Sequence, residues 1–304
     1  MIWSDGMSDI GPWRRILVRD ARHIFANDEK IAHEWAPLNF TSAPDYATAA
    51  GQYDRFVSLL GTSGAEIISG PSETSSLTGL TLDAIYVRDA SVMCPHGAIL
   101  CRMGKPQRAA EPGSLAEIYR GLGVPLVGTI QAPGKLEGGD VAWLGPRLAA
   151  VGRGYRTNDA GIDQLRTLLG DTVDELIVVP LPHYRGADDV FHLMSIVSPI
   201  DHDLAVVYSP LMPVPFRERL LDLGYALVEV PDEEFESMGT NVFALAPRRC
   251  VMVEGNPQTR AALERAGAEV LVYDGSEISL KGGGGPTCLT RPIVDWNTVE
   301  GGHA

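Results

Sequence analysis

Five residues capable of chemistry fall at nearly equal intervals along this chain. Asp89, Asp140, His192, Asn241 and Cys288 are 51, 52, 49 and 47 residues apart, and Asn39 lies 50 before Asp89. Each of the five stands at the head of a pair of short apolar runs. The pairs span residues 87–102, broken at Pro95-His96-Gly97, and 140–151, broken at Gly145-Pro146-Arg147, then 191–208, 241–254 and 288 onward. Amphipathic helices are expected at 44–60, 114–122, 158–169, 213–223 and 257–266, with Ser114, Asn158 and the Asn256-Pro257 pair as caps. After each helix comes a glycine (Gly64, Gly123, Gly170, Gly224, Gly267) and then a strand-like run. A glycine in the left-handed region stops a helix, so this is a sound helix-to-strand joint. A strand–strand–helix–strand unit repeating near every 50 residues is a repeat architecture. No such unit buries its sheet alone, so neighbours must pack together. Two arrangements meet that need: a closed ring of five units, its last strand pairing with its first, or an ordinary open α/β sheet.

The repeat explains the composition. There are 33 glycines and 21 prolines in 304 residues, and every unit needs a helix stop and a hairpin turn. No linker or low-complexity tract divides the chain, so residues 1–304 are read as a single catalytic domain. With 25 Lys+Arg against 39 Asp+Glu, the net charge is −14, and no basic stripe offers itself to nucleic acid. No apolar run approaches the ~18 residues of a membrane span. Residues 1–15 hold no apolar signal segment, and Cys94, Cys101, Cys250 and Cys288 form no C-x-x-C pair. A cytoplasmic setting is therefore the default. The sequon at Asn39-Phe40-Thr41 is discounted for the same reason.

Cys288 follows Lys281-Gly-Gly-Gly-Gly-Pro-Thr, which is not a phosphate loop because its lysine precedes the glycines. It reads either as a small buried hydrophobe or as a nucleophile at the start of a strand. His192 is either a core histidine or the base that such a cysteine needs. Glu137-Gly-Gly-Asp140 is a solvated turn or a rigid pair of carboxylates. Asp83 and Asp89 flank residues 84–87, read as a strand that they cap or whose ends they turn into a pocket. Asp188-Asp189 reads as an exposed loop, and Cys94 and Cys101 as core. In a ring, the same turn of every unit points at one axis, which would gather these residues. Several acids around one Cys and one His suit a planar guanidinium, which a carboxylate binds through two parallel N–H bonds. Arg108 and Arg156 could bind a substrate carboxylate, or lie on the surface. The remaining histidines show no metal-ligand spacing.

Together, Arg88-Asp89, Leu136-Glu-Gly-Gly-Asp140, Gly152-Arg-Gly-Tyr-Arg-Thr-Asn158, Phe191-His-Leu193 and Gly282-Gly-Gly-Gly-Pro-Thr-Cys288 resemble the guanidino-modifying enzymes. That superfamily comprises dimethylargininases, arginine deiminases and amidinotransferases. The likeness runs from about residue 12 to 294. It implies an α/β propeller of five units with pseudo-fivefold symmetry and the site on the central axis. It implies Cys288 as nucleophile, His192 as general acid/base, and Asp89 and Glu137 as holders of the guanidinium. Asp83 would face the substrate's amino end, Arg108 and Arg156 its carboxylate, and Asp140 would join the acids of the site. The partner is a small cationic guanidino compound, with no metal, no organic cofactor, no nucleic acid and no membrane. A homo-oligomer stays open. Deiminases and amidinotransferases carry an Asp two residues after the His, where this chain has Met194. That difference favours a dimethylargininase-like hydrolase acting through a thiouronium intermediate. Arg88-Asp89 and the four-glycine loop lean toward deiminases, so an arginine deiminase, an amidinotransferase and a non-catalytic guanidine binder remain alternatives. Residues around 38–40 are expected to form part of the lid.

Overall fold

The computed structural model describes residues 7–70 and 77–294. Met1–Gly6, part of the stretch read for a signal segment, and His303 lie outside the described residues. The strands, in chain order, are β1 (Arg15–Val18), β2 (Glu66–Ser69), β3 (Ser91–Cys94), β4 (Gly97–Leu100), β5 (Leu126–Thr129), β6 (Val141–Gly145), β7 (Leu148–Arg153) and β8 (Glu175–Pro180). They continue as β9 (Val197–Asp201), β10 (Leu204–Val207), β11 (Ala226–Glu229), β12 (Phe243–Ala246), β13 (Arg249–Val253), β14 (Glu269–Tyr273) and β15 (Arg291–Ile293). These strands form separate three-stranded sheets ordered β15-β1-β2, β3-β4-β5, β6-β7-β8, β9-β10-β11 and β12-β13-β14. Every sheet has one plan: an antiparallel pair, then a parallel strand. Since β15 pairs with β1, the chain's last described strand completes the sheet its first one began.

The helices are α1 (Ala21–Phe25), α2 (Asp28–Glu34), α3 (Tyr46–Gly61), α4 (Glu111–Gly121), α5 (Asp159–Leu169), α6 (Val214–Asp222), α7 (Asp232–Phe235) and α8 (Pro257–Arg265). A parallel pair needs a crossover, and α3, α4, α5, α6 and α8 each lie between the two parallel strands of one sheet. Their limits match the sequence reading within a few residues. The exceptions have physical causes. Ser114 is not a cap: the helix begins at Glu111 with Pro112 in its first turn, and Ser114 Oγ accepts from Arg19 instead. Asn256 does not cap α8 with its side chain. Glu234 of α7 does so from a distance in sequence, accepting from the N–H groups of Gln258 and Thr259 at 2.7 and 2.8 Å.

Side-chain alternation on the central strands ties the sheets together. Successive residues of a strand point to opposite faces. Leu204 and Val206 of β10 enter an apolar cluster with Cys250 and Met252 of β13, whereas Ala205 and Val207 enter another with Ala142 and Ala150 of the third sheet. Val251 and Val253 of β13 pack with Ile16 and Val18 of β1. Leu17 turns the other way, into a cluster with β3, β4, β6 and β7. Each sheet thus packs against two others in sequence order, and the last packs against the first. Central strands must then be apolar on both faces, which β4 and β10 are throughout. The outer strands β5 and β11 are half-exposed. Among the described residues, no helix is long and apolar enough to cross a membrane.

Candidate active site

The residues that mark the repeat lie just ahead of each antiparallel pair, in turns rather than in strands. Asp83 and Asp89 sit in two short 3-10 helices, Leu82–Ile85 and Val87–Ala90, so residues 84–87 are not the strand expected. The chain bends at Tyr86, whose carbonyl accepts from Arg108 Nη2 at 2.9 Å. Asp140 ends a 3-10 turn, Gly138–Asp140, and His192 caps another, Leu193–Ser195. Cys288 lies in the turn before β15, not at a strand's start, held by the Leu289 N–H to Gly285 O bond at 3.1 Å.

The glycines are there because neighbours fill their side-chain space. A Cβ on Gly139 would stand 2.6 Å from Asp89 Oδ1 and 2.7 Å from His192 Nδ1. On Gly284 it would meet the Tyr86 ring at 2.4 Å, and on Gly285 the Asn241 amide at 2.5 Å. Real Cβ atoms do not come so close, so the Gly-Gly and four-glycine runs let the turns touch.

Asp83, Asp89, Arg108, Glu137, Asp140, Arg156, His192 and Cys288 are all buried. His192 Nε2 is 2.7 Å from Glu137 Oε2, and its Nδ1 is 3.8 Å from Asp89 Oδ1. Burial disfavours an imidazolium here, but Asp89, Asp140 and Glu137 outweigh it and lift the His192 pKa to about 9. Burial also opposes charge on Glu137. Its bond to His192 and the charge of Arg156, whose Nη1 is 3.3 Å away, hold it well below the usual carboxylate range. Its other oxygen, Oε1, accepts from the N–H groups of Gly104 and Lys105 at 2.8 and 3.1 Å. The pair is therefore an imidazolium held by a carboxylate. Asp89, Glu137 and His192 offer donor atoms within 4.8 Å of one another, as metal ligands do. A metal would have to displace the imidazolium proton and compete with Arg108 on Asp89.

Cys288 Sγ accepts from Asn241 Nδ2 at 3.4 Å, and Thr287 Oγ1 lies 3.8 Å away. Burial first, then Asp89, pushes its thiol up, while Thr287, Asn241 and Arg88 pull it down. Arg88 pins this turn from beneath: its Nε donates to Thr287 O at 2.6 Å and its N–H to Cys288 O at 3.1 Å. Cys94, Cys101 and Cys250 are buried thiols raised chiefly by desolvation, as core cysteines are.

Two cavities meet at Cys288. The small one, about 10 Å³, is lined by Asp83, Asp89, Lys105, Arg108 and Arg156. Its charges are paired among themselves. Lys105 Nζ meets Asp83 at 2.6 Å, and Arg108 bonds Asp89, both oxygens of Glu111 and Tyr86 O. Arg108 therefore has four bonds to protein and one N–H left of its five. The large cavity, about 210 Å³, is lined by His192, Met194, Phe191, Phe235, Asn241 and Asn39 among others. Of the loop expected to be exposed, Asp188 is exposed but Asp189 is half-buried, and both border this cavity. Of the expected lid, Asn39 lines the large cavity, and Leu38 O accepts from Lys105 Nζ at 2.7 Å.

Two expectations are corrected. Glu137, expected to hold the guanidinium, lines neither cavity and bonds His192, Arg156 and the N–H groups of Gly104 and Lys105 instead. Asp140 lines neither cavity. Its oxygens accept from Thr157 Oγ1 at 2.6 Å and Leu193 N–H at 3.0 Å, and burial lifts its pKa to about 6. It fixes the turn that carries His192. Sequence reasoning missed Lys105, Glu111 and the sulfur contact of Asn241, although the 47-residue spacing from Asn241 to Cys288 had marked the last.

This geometry, a buried cysteine and histidine beside several acids on small packed sheets, has counterparts. The arginine deiminase family profile matches residues 83–222 and 216–294. A dimethylarginine dimethylaminohydrolase of Streptomyces coelicolor is 31% identical over 247 residues, covering 81% of this chain and 86% of that protein. An arginine deiminase of Rhodococcus opacus is 30% identical over 69% of this chain, which spans only 59% of that longer protein. The solved DDAH of Pseudomonas aeruginosa, a cysteine-to-serine variant complexed with citrulline, shares the fold with a TM-score of 0.73. It is 24% identical and covers 91% of this chain and 98% of its own. The chain belongs to the arginine deiminase family of guanidino-group hydrolases. Within that class it is an amidino C–N hydrolase that resembles the dimethylargininases.

Proposed function

We propose that the protein removes an amine or ammonia from the guanidino group of arginine or an N-methylated arginine, releasing citrulline. One observation carries this reading: Cys288 and His192 line one cavity, with His192 Nε2 held 2.7 Å from Glu137. The five packed sheets form a pseudo-fivefold α/β propeller in this reading. The turns of Asp89, Glu137, His192, Asn241 and Cys288 surround its axis, and the chain is a single catalytic domain.

In the resting site the Cys288 thiol is pushed up by burial and Asp89, so it holds its proton. A guanidinium lying against the sulfur opposes the effect of Asp89, and the thiol gives up its proton to solvent as the substrate binds. Sγ then bonds the guanidino carbon. The C–N bond to the departing amine breaks, and its electron pair stays on nitrogen, which takes the His192 proton. The thiouronium that remains is attacked by water as neutral His192 takes the water proton. The C–S bond breaks with its electron pair returning to sulfur, which takes the remaining hydroxyl proton, and the neutral ureido product leaves. Asp89 holds guanidinium N–H groups, and Glu137 keeps His192 oriented and charged. A substrate ammonium would exchange with Lys105 at Asp83, and its carboxylate would face Arg156. Arg108 lines the same cavity and acts first through Asp89.

The test is turnover by the wild type and by Cys288→Ser. Wild-type protein forming citrulline from arginine or a methylated arginine, with the serine variant inert and folded, supports the reading. Citrulline formed by Cys288→Ser at the wild-type rate overturns the mechanism.

A further inference from the structure

We infer that the large cavity is a subsite for an apolar substituent on the departing nitrogen, bulkier than methyl. The inference rests on the hydrolase reading above and adds a substrate class to it. Two observations carry it. The first is the position of the acid. His192 lines the large cavity and not the small one, whereas Asp83, Lys105, Arg108 and Arg156 line the small one alone. The group that protonates the leaving amine must touch that amine. The leaving nitrogen therefore points into the large cavity, and the charged tail that citrulline keeps points toward the ion pairs.

The second observation is the size and chemistry of the space. At about 210 Å³ it is far larger than the one or two methyl groups of a methylated arginine need. Part of its wall beyond His192 is apolar. Met194 is buried there, and Phe191, Tyr184 and Phe235 make a continuous aromatic surface, with ring centroids 5.6 and 6.0 Å apart. Tyr208 stacks behind Phe235 at 3.9 Å and stiffens it. The polar groups nearest this surface are spent on each other: Arg185 bonds both oxygens of Glu236, at 2.7 and 3.1 Å, and Tyr184 Oη bonds one of them. Asp188 and Asp189 border the same cavity from their loop, while the aromatic surface itself offers the substituent no carboxylate. An alkyl or arylalkyl group of about three to seven carbons fits this description, and it departs as a primary amine.

The experiment offers the wild-type protein arginine and its Nω-methyl, Nω,Nω-dimethyl, Nω-propyl and Nω-benzyl derivatives, reading released amine and citrulline. The expected result is a kcat/KM for propyl or benzyl about tenfold above methyl, the size of effect a hydrophobic pocket delivers. A second measurement uses Met238→Trp, a substitution in the wall of the large cavity. It should lower the propyl-to-methyl ratio about tenfold. A kcat/KM that falls from methyl through propyl to benzyl overturns the inference and leaves the hydrolase reading standing, as does a ratio that Met238→Trp does not move. No turnover of any guanidine overturns both.

Discussion

The two sides of Cys288 are built on opposite principles. On one side, the buried charges Asp83, Asp89, Lys105, Arg108 and Arg156 line a cavity of about 10 Å³, held in ion pairs that take in Glu111 and Glu137 behind them. On the other, Met194 and an aromatic wall form part of a cavity of about 210 Å³ whose charged residues, Arg185, Asp188, Asp189, Glu236 and Lys281, are exposed or half-buried. The charged side is complete only as a set. Removing one member strands the others without water, a heavy penalty. The apolar side is a matter of shape, and its members can be exchanged for others of similar size at lower cost. Damage to the first should therefore appear in folding and in chemistry together. Damage to the second should appear in substrate preference.

The largest expected effect lies at the seam itself. Cys288→Ser should lower kcat by roughly 10⁴-fold or more, as loss of an attacking nucleophile does, without loss of the folded state by circular dichroism. Next is the charged side. Arg108→Met should cost about 3–5 kcal/mol in urea unfolding, because Asp89 and Glu111 are left buried without their cation. A loss under about 1 kcal/mol would show that this network is not the rigid half described.

A pH effect follows. The His192 pKa is raised to about 9 against an ordinary 6.5, so its imidazolium stabilises the fold fully below about pH 6.5. That contribution fades as pH climbs through about 9, and the acid needed by the leaving amine fades with it. The basic limb of the kcat profile should lie near pH 9 and be absent from His192→Gln. The Cys288 thiol, pushed up by burial, should be alkylated by iodoacetamide faster as pH rises, and a bound guanidine should shield it. The smallest effect belongs to the apolar side. Met194→Asp places a carboxylate beside His192 and should shift the ratio of rates from methylated arginine toward arginine by about tenfold, with modest change in stability. An unmoved ratio would break the contrast between the two sides.

Much of this was legible in the sequence, and the reason is the period. Equal spacing of Asp89, Asp140, His192, Asn241 and Cys288 requires equivalent units, and equivalence places their opening turns alike. The strand–strand–helix–strand order followed from glycine stops and apolar runs, which are local signals. What stayed hidden was non-local. Residues 84–87 look like a strand by composition, yet the bonds of Arg108 to Tyr86 O and Asp89 favour two 3-10 turns. Glu137 and Asp140 look like a pair of pocket acids, and only their bonds to His192 and to the Leu193 N–H show that both face inward and position the histidine. Glu234 caps α8 from another element, which no local motif announces. Lys105 carries no motif; its place at Asp83 is a product of the fold.

The central claim, hydrolysis of a guanidino C–N bond at Cys288, is tested most directly in water enriched in ¹⁸O. The protein is incubated with monomethylarginine and, in parallel, with arginine plus glycine, and the products are weighed by mass spectrometry. The account predicts citrulline carrying one ¹⁸O, an equimolar free amine, and a mass adduct on Cys288 when the reaction is quenched early. Amidine carried to glycine with no labelled citrulline, or labelled citrulline formed at full rate by Cys288→Ser, would contradict it.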